Sequence, residues 1–406
     1  MTLQPSQLVK GTTLNLSGKV LTDAELVEVG NLTSLTELDL SRSSVSDEAL
    51  NQLVRLKALS VLNLRYTRVS NAGLEALKGR EVPKGLEQLT RIDLGHTQVN
   101  GAGLKLLLDS RKLTHLDLGG LWVYNWVLTQ LAPLSRLTKL SLNGTQVNDA
   151  GLEELKKFTL LEELSLREMP NVTTAGVEWL LPLPRLMTLD LGSTKVDDAA
   201  FAALARLDSL TTLYLDRSLV SGVGMKALRA LSGLTTLDLG RTSLSAQGAK
   251  EIAQLVGLRD LRLAGRTINN AVVTELAPLS GLRKLGLIDT FVDTSGLKKL
   301  SALPNLTEID LTGTFVGDSG LEQLAALKGL TRLNLGGTEM TDETFAMIAK
   351  FPALTRLGLG DTHVSSAGLE LLAAMTSLRE LDVGLASPEA VSRLQQALPG
   401  VKIIRQ

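Results

Sequence analysis

The chain has 406 residues, 43 acidic and 42 basic, and no cysteine. Near-neutral charge leaves no net field to gather nucleic acid or an anionic membrane, and without cysteine there are no disulfides or thiolate metal sites. The opening MTLQPSQLVKGTTLNLSGKV has no apolar core behind a basic start, and no run approaches the roughly 18 apolar residues of a spanning helix, so the chain as it stands reads as soluble, cytoplasmic and monomeric.

Residues 1–10 form a lead-in with only Leu3 and Leu8 to cover the first strand, which suggests a missing upstream piece. From Gly11 onward one unit recurs. Its clearest copy is LTKLSLNGTQVNDAGLEELKKFTL, Leu137 to Leu160, or L-x-x-L-x-L-x-x-T-x-V-x-D-x-G-L-x-x-L-x-x-L-x-x. Taking its first leucine as position 1, the register falls at Leu35, Leu59, Leu89, Leu113, Leu137, Leu161, Leu186, Leu210, Leu234, Leu258, Leu282, Leu306, Leu330, Leu354 and Leu378. With the degenerate copy opened by Gly11, that makes sixteen units over 11–400, followed by a closing strand at 401–406.

Apolar positions 4 and 6 alternate with polar 3, 5 and 7, the period of a half-buried strand. The G-L-x-x-L-x-x-L segment after it has helical spacing. Each unit is therefore one strand and one short helix. Asp or Asn at position 13 (Asp23, Asp47, Asn71, Asp149, Asp198, Asp318, Asp342) is placed to cap its own helix. Strands stack about 4.8 Å apart while helices need about 10 Å, so the stack is expected to curve into a horseshoe with an inner arc of roughly 75 Å. Positions 3, 5, 7 and 8 would line the hollow. Thr at position 9 (Thr67, Thr97, Thr145, Thr194, Thr242, Thr290, Thr314, Thr338, Thr362) suits a hydroxyl that satisfies backbone in the turn.

Three departures break the register. KGREVPKG lengthens the connection between Leu77 and Leu86; REMPNVTTAG adds a residue in the unit at Leu161; and the last unit shortens to SPEAVSRLQQAL, with Ser387 and Pro388 as a helix start, before VKIIRQ.

The repeat resembles the ribonuclease-inhibitor-like class of leucine-rich repeats, in the T-x-V-x-D-x-G-L variety common in bacterial proteins. It is also similar to the arrays of F-box proteins, whose D-x-G-L step matches Asp149 to Leu152 and Asp318 to Leu321, although no F-box segment precedes Gly11. The resemblance implies an α/β solenoid with a parallel sheet inside and helices outside. It also implies protein binding through the concave face and rims, and it brings no catalytic residues.

Subtracting the template isolates candidate sites. In the unit Leu113 to Arg136, positions 10, 12 and 14 become Trp122, Tyr124 and Trp126, while Leu121 and Val127 replace the usual Thr and Gly. These aromatics read either as a partner-binding patch or as packing in a rebuilt turn. Asp93 and Asp117 share position 5 of adjacent strands, with His115 at position 3, His96 at position 8, and Arg91 and Lys139 flanking them. They read as a charged recognition network or, alternatively, as a metal or acid–base centre, though the two imidazoles lie on the order of 15 Å apart along the strand. Phe291 and Phe315 occupy position 10 of neighbouring units, with Ile288 at position 7, and read either as an apolar rim patch or as rings packed down against the ladder. Tyr214, Arg217, Arg241 and Arg262 face the hollow beside Asp216, Asp238 and Asp260, as an ion-pair lattice or an anion pocket. Gly222-Val223-Gly224 lacks the context of a dinucleotide loop, His363 reads as a solvated turn residue, and no phosphate-loop, zinc-protease or nucleophile-elbow motif occurs. The expectation is a non-enzymatic scaffold with no metal or cofactor and a protein partner; an enzyme on Asp93, His115 and Asp117, or a self-assembling solenoid, are the alternatives.

Overall fold

The computed structural model describes residues 9–78, 85–348, 350–362 and 365–405; the long connection after Leu77 and His363 lie mainly outside them. Two compact units appear, with the division falling between residues 195 and 211. The first carries strands β1 (Thr13–Asn15), β2 (Glu37–Asp39), β3 (Val61–Asn63), β4 (Arg91–Asp93), β5 (His115–Asp117), β6 (Lys139–Ser141), β7 (Glu163–Ser165) and β8 (Thr188–Asp190). Each is parallel to the next. The second carries β9 (Thr212–Tyr214), β10 (Thr236–Asp238), β11 (Asp260–Ala264), β12 (Lys284–Ile288), β13 (Glu308–Asp310), β14 (Arg332–Asn334), β15 (Arg356–Gly358), β16 (Glu380–Asp382) and β17 (Lys402–Ile404), again parallel in sequence. The fold is a leucine-rich repeat solenoid, one strand and one short helix per repeat. The closing VKIIRQ segment supplies β17 on β16.

Position 4 and 6 side chains fill the core: Leu140 is 2% exposed and Leu142 0%. Burying such a side chain contributes roughly 1.5–3 kcal/mol, repeated at every step. Polar ladders run beside this core. At position 2, the hydroxyl of Thr90 donates to the Ser60 carbonyl at 3.1 Å, Thr114 to Thr90 at 3.0 Å, and Thr331 and Thr355 continue the rule in the second unit. At position 9, Thr67, Thr194, Thr242 and Thr314 donate to the position-6 carbonyl of the same turn at 2.6–2.7 Å, the role their sequence position suggests. Thr145 is the exception: its buried hydroxyl has no partner.

Position 13 behaves differently from expectation. The helix cap is the residue before it: Asn148 Oδ1 accepts from Ala150 N, Thr173 Oγ1 from Ala175 N and Ser245 Oγ from Gly248 N. The position-13 side chain reaches instead into the next repeat and holds that cap. Asp47 accepts from Ser70 N and Oγ at 2.7 and 2.5 Å, Asp149 from Thr173 N and Oγ1 at 2.8 and 2.6 Å, and Asp342 from Ser365 N and Oγ at 2.8 and 2.6 Å. Where position 13 is Asn, the next cap is an oxygen acceptor: Asn71 faces Asn100, Asn125 faces Asn148, and Asn270 faces Asp293. The chemistry is complementary, because a carboxylate only accepts and therefore takes a hydroxyl, whereas an amide also donates. The hydroxyl bond holds the Asp342 carboxyl below the usual range.

Position 8 adds a constraint that the repeat pattern does not state. Arg42, Tyr66, His96, Glu168, Ser193, Arg217, Arg241, Asp289 and Asp361 all have φ between 54° and 59°, matching Gly120, Gly144, Gly313 and Gly337 in their repeats. A side chain in this left-handed region costs about 1 kcal/mol. Ser193→Gly is therefore expected to raise stability by about 0.5 kcal/mol after glycine's own entropy cost; chemical denaturation checks this, and a loss would show that Ser193 makes an offsetting contact.

Candidate functional site

In the first unit, the strand ends place a charged and aromatic cluster on the solvent face. Each position-5 carboxylate first ends its own strand: Asp93 Oδ1 accepts from Gly95 N at 2.8 Å, and Asp117 Oδ1 from Gly119 N at 2.7 Å. Asn63 and Asn334 do the same in their repeats. One oxygen of each of Asp93 and Asp117 is thus structural.

The cation between them is Arg65, rather than the flanking Arg91 or Lys139. Arg65 Nη1 lies 3.0 Å from Asp117 Oδ2 and 3.8 Å from Asp93 Oδ1, while Lys139 pairs with Glu163 at 2.5 Å. Arg65 also lies 5.1 Å from the ring centre of its sequence neighbour Tyr66, as does Arg42 from the preceding repeat. Tyr66 in turn stacks on His96 at 4.3 Å with the rings 4° from parallel. The result is a cation–aromatic ladder, Arg42 to Tyr66 to His96, built on position 8. Its last ring covers Gly120, where any side chain would collide with the imidazole.

Burial, then the Asp117 charge, push the Asp93 carboxyl up to about 6, against the lowering effects of the Gly95 hydrogen bond and Arg65. His115 is held below its usual value by burial and by the Arg91 and Lys139 charges in register with it. Its Nδ1 lies 2.8 Å from Thr114 Oγ1. Among the described residues, no three His, Asp or Glu side chains gather as metal ligands would.

The aromatic repeat stands on a different edge of the same unit. Leu121, Val123 and Val127 are buried, whereas Trp122, Tyr124 and Trp126 are 69%, 44% and 48% exposed. Trp122 bridges to Asn100 in extended conformation, and alternation therefore turns Val123 inward and its two neighbours out. Trp126 stands in the first turn of the helix Asn125–Leu131 and lies over Gly101 of the preceding repeat. The surrounding surface is low and neutral, with Gln98, Ala102, Gln146 and Ala150 exposed. The turn is rebuilt by Leu121 and Val127, but the three rings cover its outside.

In the second unit a groove of about 810 Å³ runs along the strand face, and its lining includes Arg217, Arg241, Arg262, Ile288, Arg332 and Arg356. Several of its cations have partners. Arg241 crosses Gly265 to reach Asp289 at 2.9 Å, and Arg262 pairs with Asp260 at 3.3 Å and approaches the Tyr214 ring at 6.0 Å. Lys284 and Arg332 share Glu308. At the groove edge Phe291 and Phe315 meet with ring centres 5.5 Å apart and planes tilted by 48°.

Residues 179–402 match a leucine-rich repeat region, and residues 135–156 match a single leucine-rich repeat. The chain belongs to the leucine-rich repeat family. No curated protein matches its sequence. Among solved structures it is similar to a leucine-rich repeat protein of Leptospira interrogans, at 22% identity and a TM-score of 0.56, covering 98% of this chain and 97% of that one. It is also similar to an internalin of Listeria monocytogenes, at 20% identity and 0.54, covering 82% and 93%. A third similar structure is a TLR13–ssRNA13 complex, at 15% identity and 0.52, covering 99% and 75%. At these identities the likeness concerns the fold.

Leucine-rich repeats serve commonly as interaction scaffolds, and no helix among the described residues is long and apolar enough to cross a membrane. Sequence comparison between repeats singled out Trp122, Asp93 and Phe291 but passed over Arg65, Tyr66 and Arg42. Tyr66 and Arg42 stand at position 8, where Gly is the unstrained residue, and that mismatch is the signal that identifies them.

Proposed function

We propose that this leucine-rich repeat chain is a non-enzymatic, monomeric scaffold that binds a protein partner through its strand-lined face and the aromatic edge of the repeat Leu113 to Arg136. The observation that carries this reading is the exposure of Trp122, at 69%, beside Tyr124 and Trp126, on a repeat whose inward positions are fully packed. Aromatic side chains held rigid on a neutral surface supply large contact area at small entropic cost. The near balance of charge favours a protein over nucleic acid or an anionic membrane, and the structural hydrogen bonds of Asp93 and Asp117 favour recognition over acid–base chemistry at those carboxylates. The T-x-V-x-D-x-G-L steps support placement in the bacterial, ribonuclease-inhibitor-like variety.

The test is capture of partners from the source cell by wild type and by the Trp122→Ala, Tyr124→Ala double variant. The variant is expected to lose at least about tenfold in partner affinity, equivalent to ~1.4 kcal/mol, with its thermal midpoint nearly unchanged. A strongly lowered midpoint would mean that the rings are packing elements. Unchanged capture would remove this edge from the site.

A further inference from the structure

The repeat Leu258 to Gly281 breaks the position-9 rule. In its place stands Arg266, exposed, where Ser218, Thr242, Thr290, Thr314 and Thr338 of this unit are buried at 5% or less. One residue later a different hydroxyl bond forms, Thr267 Oγ1 donating to the Thr242 carbonyl of the preceding repeat at 3.0 Å. Gly265, at φ 92°, turns the chain, and β11 and β12 extend their pairing to Ala264 and Ile288. The scaffold has been altered locally to bring a guanidinium outside, and it comes to rest 5.8 Å from the Phe291 ring centre. Unlike the buried replacements Leu121 and Met169 at the same position, this departure exposes a charge, and such breaks of a local rule are expected at functional or strained sites.

The backbones of Phe291 and Phe315 are held by N–H groups that donate to the Ile268 and Val292 carbonyls, and their rings, 44% and 54% exposed, meet across adjacent repeats. Ile288, 38% exposed, carries the apolar surface onto the groove floor. Of the two acids flanking Phe291 in sequence, Asp289 is taken up by Arg241, and Asp293 accepts from Asn270 Nδ2 and Ser295 N. Arg266 makes no ion pair among the described residues. One repeat beyond Phe315, the same position 10 carries exposed Glu339. The edge therefore reads, in order, cation, phenyl, phenyl, anion. At about 4.8 Å per repeat it spans on the order of 15 Å, the length of roughly five extended residues.

We propose that this edge docks an extended protein segment in which an acidic side chain meets Arg266, apolar side chains lie against Phe291, Phe315 and Ile288, and a basic side chain meets Glu339. It deepens the scaffold reading by naming a partner chemistry at a surface separate from Trp122. Guanidinium and phenyl groups also suit a single-stranded nucleic acid, but exposed Glu339 at the far end of the edge disfavours a polyanion there.

The experiment is fluorescence anisotropy on the full chain with a labelled peptide carrying Glu, Leu, Phe and Lys in that order. One control peptide has Lys in place of Glu, and another has Ser in place of both apolar residues. The parent peptide is expected to bind, more weakly as salt rises, and both controls to bind at least about tenfold more weakly. Arg266→Thr installs the residue that this position carries elsewhere, so it should keep the wild-type thermal midpoint while weakening the parent peptide about tenfold; Arg266→Glu should abolish binding. The Trp122→Ala, Tyr124→Ala variant should bind the peptide like wild type. No binding to wild type, unweakened binding to Arg266→Thr, or displacement by a thymidine oligonucleotide would each overturn the proposal without touching the Trp122 edge. Loss of peptide binding in the Trp122 variant would overturn the assignment to this edge.

Discussion

Gly151→Val is expected to destabilise the chain by about 2–4 kcal/mol, and adding Asn125→Gly is expected to restore much of that loss. Gly151 is helical, so its backbone conformation does not require glycine. What requires it is Asn125 of the preceding repeat, whose Oδ1 occupies the space a side chain would take, with Val147 Cγ1 at 2.9 Å. That oxygen accepts from Asn148 N at 3.1 Å, so a side chain at 151 both overpacks the site and displaces the clamp. The same fit recurs at other clamps: Gly73 sits on Asp47, Gly103 on Asn71, Gly176 on Asp149, Gly296 on Asn270 and Gly368 on Asp342. The chain also contains the exchange in natural form. Position 13 of the repeat before Trp122 is Gly101, and there position 15 of the next repeat is Val127, which together with Trp126 fills the vacated space. The double variant copies that pair. Urea denaturation of both single variants and the double variant would show a favourable coupling of about 1–2 kcal/mol; additive losses would mean that the two sites do not exchange volume.

Asp93→Asn is expected to stabilise the chain at about pH 7.5 by up to ~2 kcal/mol, and the gain should vanish near pH 4. The folded state raises this carboxyl from 3.8 to about 6. The proton is held more tightly in the folded chain than in the unfolded one, so its stabilising effect is complete below 3.8 and is lost as pH rises through 6. Above that, the ionised carboxylate, only 26% exposed and beside Asp117, is a net cost. Asparagine keeps the acceptor for Gly95 N, as Asn63 does for Arg65 N at 3.0 Å, and Arg65 keeps Asp117 at 3.0 Å. Thermal midpoints of both proteins across this range decide the matter: a gap that does not change with pH, or a variant less stable at pH 7.5, contradicts the assigned cause.

Repeat periodicity alone makes the solenoid legible, because leucine at positions 1, 4 and 6 and the helical spacing after them are demands that each repeat makes on its own residues. The same subtraction locates Trp122, Tyr124, Trp126, Phe291 and Phe315. It does not locate Arg65, because that side chain acts two repeats away, on Asp117, and nothing within its own unit indicates the reach.

The D-x-G-L step gives the clearest contrast. As sequence it reads as one local motif, an aspartate capping the helix that its glycine helps to begin. In the folded chain the two residues serve different neighbours: Asp149 holds Thr173 of the following repeat, while Gly151 makes room for Asn125 of the preceding one. The sequence determines the repeat, its period and its buried positions, since hydrophobic spacing depends only on residues close along the chain. Stacking decides what the polar positions do, because their partners lie about 24 residues away and come within hydrogen-bonding distance only when one strand pairs with the next.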